Sequence, residues 1–160
     1  MRRIADRGQA MAEFMIAMIP AVIILFVAVQ FAVVARDGTA LGQFASQMAR
    51  WAAAPNNSGA DAQKLVTYVQ NNTNVMPLPV ATIVKANGIS YSGSSTSTPN
   101  GVTVAMNCPG VADCTKRVQG SQVQVVMTMS ITKDLFLGQT FLGIGFPTSL
   151  SNQSSAFTQG

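Results

Sequence analysis

The sequence predicts an α+β protein: a long N-terminal helix that crosses a membrane and runs outward onto a small antiparallel β-sheet domain. Three observations carry this. From Phe14 to Ala35 no residue is charged, and Gln30 is the only strongly polar one. The apolar pattern beyond that run keeps a helical spacing. The last third of the chain contains "QVQVVMTMSI", where apolar and polar residues alternate with the period of a half-buried strand.

Composition agrees. Only 10% of the 160 residues are charged, against roughly 25% in soluble domains, and the mean hydropathy is +0.30. The formal charge of +4 is uneven: Arg2, Arg3 and Arg7 precede the apolar run, opposed there only by Asp6. No basic patch interleaved with aromatics follows, so no nucleic-acid partner is expected. Histidine is absent, which removes the commonest general base and metal ligand.

As a helix, Phe14–Ala35 is about 33 Å long, enough to cross the hydrocarbon core. A cleaved secretory signal has a shorter apolar core and a small-residue cleavage site, whereas Arg36-Asp37-Gly38 follows here. The run therefore reads as an anchor with span 14–35. The preceding arginines place the N-terminus in the cytoplasm and most of the chain outside. Pro20 lies within the run, where a kink is expected.

Beyond the span, Leu41, Phe44, Met48 and Trp51 make one helical face. Gly38 and Gly42, four apart, permit a close backbone approach. This face packs on the chain's own domain, the simpler assignment, or on a neighbour. The helix is predicted over 9–54 and is stopped by "PNNSG". The external domain is 55–160. "DAQKLVTYVQNN" reads as a second helix with Ala62, Leu65, Val66 and Val69 on one face. "NTNVMPLP" breaks it. "VATIVKANGISYS" reads as two strands joined by an Asn87-Gly88 turn, and "SGSSTSTPNG" as a flexible loop. "VTVAMNC" leads into a cysteine loop. "TKDLFLGQTFLGIGFP" is apolar and Gly-rich without a period and is assigned to no element. "TSLSNQSSAFTQG" reads as a final edge strand.

Cys108 and Cys114 are the only cysteines. With five residues between them and no further Cys or His, a zinc site is disfavoured. An even count in an exported chain reads as one disulfide, contributing roughly 2–3 kcal/mol by chain entropy. No phosphate loop, Ser-His-Asp set or Ser-x-x-Lys motif occurs, and the external acids Asp37, Asp61, Asp113 and Asp134 are scattered. No enzyme activity, cofactor or metal is expected.

Glu13 sits at the entrance to the apolar run, and an ionised residue within a membrane is a functional candidate by default. Its surroundings, a short basic leader, then "RGQAMAEFMIAMIP", resemble the class III signal of type IV pilins. The wording is similar to that of TadE-like pseudopilins of the tight-adherence (Tad, Flp-type) pilus, through Arg7, Gly8, Gln9, Ala10, Met11, Glu13, Phe14 and Pro20. The likeness covers about the first third of the chain and beyond it is one of layout. It implies that residues 1–8 are a leader removed by a prepilin peptidase between Gly8 and Gln9. Glu13, Phe14 and Pro20 then serve assembly and register, with Glu13 pairing the new terminal amine of a neighbouring subunit. Many pilins begin the mature chain with phenylalanine, whereas here it begins with Gln9, which can cyclise and lose that charge.

The resemblance further implies a non-enzymatic minor pilin or pseudopilin in the bacterial inner membrane, with its C-terminal domain periplasmic, later part of a surface-attachment pilus or of its initiation complex. Its partners would be the prepilin peptidase, other pilins and copies of itself, and the inner-membrane assembly platform. Three other readings stay open: a signal-anchored ligand-binding or enzymatic domain, a main filament subunit, and a type II secretion pseudopilin.

Overall fold

The computed structural model describes residues 2–57, 59–92, 100–131, 140–141 and 144–159. Helix α1 (Arg2–Ala53) is one continuous helix that includes Pro20. A 3₁₀ turn (Pro55–Asn57) ends it, where the "PNNSG" stop was expected. Helix α2 (Ala62–Asn71) starts at Asp61, whose carboxylate accepts the Lys64 N–H at 2.8 Å and so satisfies one of the helix's orphan donors. Leu65, Val66 and Val69 are its buried face, while Ala62 is half-buried.

The segment after the Pro-rich break corrects the expected hairpin. Residues Leu78–Asn87 form helix α3, followed by strand β1 (Ile89–Tyr91). Prolines at 77 and 79 fit the first turn of a helix, where no N–H is needed. Val80 and Ile83 become buried on one side, and that burial outweighs their modest helix propensity. Gly88 has φ +85° and donates its N–H to Val84 O at 2.8 Å. The positive φ that suggested a hairpin turn is used instead to end a helix.

Strands β2 (Val102–Asn107), β3 (Gln122–Ser130) and β6 (Ser149–Phe157) complete a four-stranded sheet ordered β1-β2-β3-β6. β2–β3 and β3–β6 are antiparallel, but β1–β2 is parallel, with Ile89 opposite Val102. The sheet is thus mixed, correcting the antiparallel expectation. Three residues of β1 span only about 10 Å, so the chain has little distance to recover before β2 starts alongside it in the same direction. The flexible-loop assignment for the link through 92–101 falls mainly on 93–99, outside the described residues. In the unassigned Gly-rich stretch, β4 (Thr140–Phe141) and β5 (Ile144–Gly145) pair as a separate ribbon; the rest of that stretch before Phe146 lies outside the described residues.

β3 alternates as the sequence predicts. Val123, Val125, Met127 and Met129 are buried, with their intervening partners half-buried. Val102 and Val104 of β2 lie opposite Met129 and Met127, so one sheet face forms the core. α1 lies along β3 and β6, while α2 and α3 cover β1 and β2. β6 is the edge strand expected from the sequence. It runs in the same direction as α1: Gly38 is beside Leu150, Gly42 beside Asn152, and Gln159 N donates to Ala53 O at 3.1 Å. The start of β6 therefore lies toward the N-terminal half of α1, and the cysteine loop after β2 lies at the far end.

Candidate functional site

The N-terminal half of α1 is the part that the domain leaves bare. Every residue from Met11 to Val22 is exposed, including Met11 at 71%, Phe14 at 64% and Ile16 at 72%. In a folded domain such side chains would be buried. This helix is long and apolar enough to cross a membrane. Glu13 and Pro20 lie on this bare segment. Gly8 and Gln9 fall within α1, and their surroundings lie outside the described residues.

From Val27 onward the domain covers one side of the helix. Val27, Gln30, Val34, Asp37, Leu41, Phe44 and Met48 recur at alternating intervals of three and four and are buried or half-buried. Such spacing keeps one face of a helix inward. Leu41 and Phe44 are fully buried, and Met48 is 3% exposed. Trp51 stacks on Tyr68 of α2, with ring centroids 4.5 Å apart and planes 22° apart. The face Gly38, Leu41, Gly42, Phe44, Met48 and Trp51 thus meets the chain's own domain. At Gly42 an added Cβ would come within 2.7 Å of Asn152 Nδ2, so the glycine makes room for the Asn152 side chain.

Of the four buried polar residues among those described, Ser90 lies in β1, and sequence reasoning gave no structural role to the other three. Gln30 is fully buried and Asp37 is 2% exposed; Asp37 pairs with Arg36 at 3.0 Å. Both continue the stripe of Leu41 and Phe44 toward the N-terminus, and that spacing was the available signal. The third, Arg117, is 6% exposed and had no local signal. Its guanidinium donates to Ala52 O and Ala60 O at 2.6 Å each, to Cys114 O at 2.8 Å, and to Asn57 O. Among the described residues its Nε is unpartnered. Of these acceptors Ala52 O belongs to the last turn of α1, and a cation there suits the negative end of the helix. Burial pulls the Arg117 pKa down from its ordinary value. The carbonyl ring ties the end of α1 to the cysteine loop.

That loop is closed by a Cys108–Cys114 disulfide, with Cα atoms 5.4 Å apart. Asp113 accepts from the Thr115 N–H at 2.9 Å and the Thr115 hydroxyl at 2.8 Å. These bonds, the N–H first, hold its carboxyl below the usual range by favouring the ionised form. Asp61 and Asp113 line one open cleft of about 480 Å³ with the disulfide. Among the described residues no three His, Cys, Asp or Glu side chains are placed to hold a metal. The arrangement provides a helix long and apolar enough to cross a membrane, an outer helical half packed on the domain and a loop closed by a disulfide. No family model, curated protein or solved structure matches the chain.

Proposed function

We propose that this chain is a non-enzymatic pilin-like subunit of the TadE-like kind, cut after Gly8 by a prepilin peptidase and assembled through the N-terminal half of α1. The observation that carries this reading is the division of α1. Its outer half is covered by the chain's own sheet, whereas the half bearing the Gly8-Gln9 and Glu13-Phe14 signal exposes its apolar side chains. A bare apolar helix needs lipid or other helices around it. In the inner membrane it is a single-pass anchor, with the domain periplasmic. In a pilus or its initiation complex, neighbouring copies and other pilins replace the lipid.

Glu13 fits this exchange. At the membrane surface a carboxylate costs little, but within a helix bundle it needs a partner. The new amine at Gln9 of an adjacent subunit supplies one and sets the register. The assembly platform acts on that processed, anchored form, and surface attachment follows from the finished filament.

Intact mass and N-terminal sequence of the protein from its native membrane test the reading. A mature chain beginning at Gln9, as an open or cyclised residue, is expected. A chain still beginning at Met1, in cells with an active prepilin peptidase, overturns it in favour of a simple anchored domain. A cyclised Gln9 would retain processing but remove the amine as Glu13's partner.

A further inference from the structure

The bilayer and the external domain compete for the same turns of α1. A carboxylate is excluded from the hydrocarbon, so the core can begin no earlier than Phe14 when Glu13 rests at the inner surface. Crossing about 30 Å takes about 20 residues, which reaches Val33. The domain, however, already packs on the helix from Val27. Phe31 meets Phe146, with ring centroids 5.3 Å apart, and Phe146 is only 5% exposed. If the span ended below Val27, the helix from Phe14 to Phe26 would cover only about 20 Å. One face of the helix is therefore held by protein at a depth where the other face must meet lipid.

We infer that the rim of the domain centred on Phe146 is immersed in the outer leaflet, its partner being the lipid of the bilayer that α1 crosses. This rests on the anchor reading above. Two further observations fit lipid there. Gln30, at this level, is fully buried in protein, as a polar side chain at membrane depth must be. Among the described residues of this rim, those of β4 and β5, Phe146, Pro147 and the start of β6 are all uncharged, while Lys133 and Asp134, which follow Ile131, lie outside the described residues. The nearest charge on this stretch of α1 is Arg36, beyond Val33 and within the headgroup region.

The chain has one tryptophan, Trp51, about 27 Å beyond Val33 along the helix. The full chain is placed in phosphatidylcholine vesicles with brominated acyl chains, and tryptophan quenching is read. Trp51→Phe combined with Phe146→Trp is the main variant. Trp51→Phe with Pro147→Trp probes an exposed neighbour should the first fail to fold, with formation of the Cys108–Cys114 bridge as the check of folding. Trp51→Phe with Val22→Trp reports on the span itself. Loss of fluorescence at 146 or 147 comparable to that at 22, with the native Trp51 unquenched, is expected. Quenching at 22 but at neither 146 nor 147 overturns the immersed rim and leaves the anchor standing. An absence of quenching at 22 overturns the anchor reading and the rim with it.

Discussion

Asn152 of β6 occupies the space that a side chain at position 42 of α1 would need: an added Cβ would lie 2.7 Å from its Nδ2. Alanine for glycine inside a helix ordinarily gains about 1 kcal/mol. Gly42→Ala is expected to forfeit that gain, and Gly42→Leu to lose about 1–3 kcal/mol through overpacking. Gly42→Ala with Asn152→Ala should recover the helix gain relative to Asn152→Ala alone. Thermal unfolding of the four variants measures the coupling.

Arg117 satisfies four backbone carbonyls from three separate segments. Arg117→Met leaves those carbonyls unpaired in a buried place, and about 3 kcal/mol of stability should be lost. Arg117→Lys should fail to restore it, because an ammonium lacks the planar fork that reaches several acceptors at once. Urea unfolding followed by Trp51 fluorescence tests both, and full rescue by lysine would count against the carbonyl ring.

The Cys108–Cys114 bridge closes a short loop. Reduction, or Cys108→Ser with Cys114→Ser, is expected to cost about 2–3 kcal/mol. Because Cys114 O is one of the Arg117 acceptors, this loss and that of Arg117→Met should be less than additive. Additive losses would separate the loop from the end of α1.

Asp113 is held below the usual carboxylate range by the N–H and hydroxyl of Thr115. Its contribution is fully present above the unfolded pKa of about 3.9 and is lost as pH falls through the lower folded value. Carboxyl NMR should place its midpoint below that of an unstructured aspartate. Thr115→Val, which keeps the N–H and removes the hydroxyl, should move the midpoint partway back. An unmoved midpoint would remove the hydroxyl from the account.

If the chain is the pilin-like subunit proposed above, Glu13→Ala is expected to leave membrane insertion and cleavage after Gly8 intact while abolishing co-assembly with pilin subunits. Fractionation, N-terminal sequencing and co-purification from one culture read all three. Normal co-assembly of this variant would end the register role of Glu13.

Several features were legible in the sequence because each depends on neighbours a few residues away. The apolar run and the Leu41–Trp51 spacing announce α1, the alternation of Val123–Met129 announces β3, and Asp61 sits where a helix cap belongs. Two paired cysteines needed only their count and spacing. The stretch around Asn87-Gly88 misled because positive φ serves a hairpin turn and a helix end equally well. The choice was made by Val80 and Ile83 finding a buried place against the rest of the domain.

The long helix, its apolar N-terminal half, the clearest strand and the single bridge could be read before folding was considered, since hydrophobic period and chain spacing are local properties. The parallel pairing of β1 with β2, the seat of Arg117 among carbonyls from positions 52, 57, 60 and 114, and the contact of Phe146 with Phe31 came only with the folded arrangement. Those depend on which distant segments share the space around one helix, and burial of apolar surface together with satisfaction of buried polar groups is decided there.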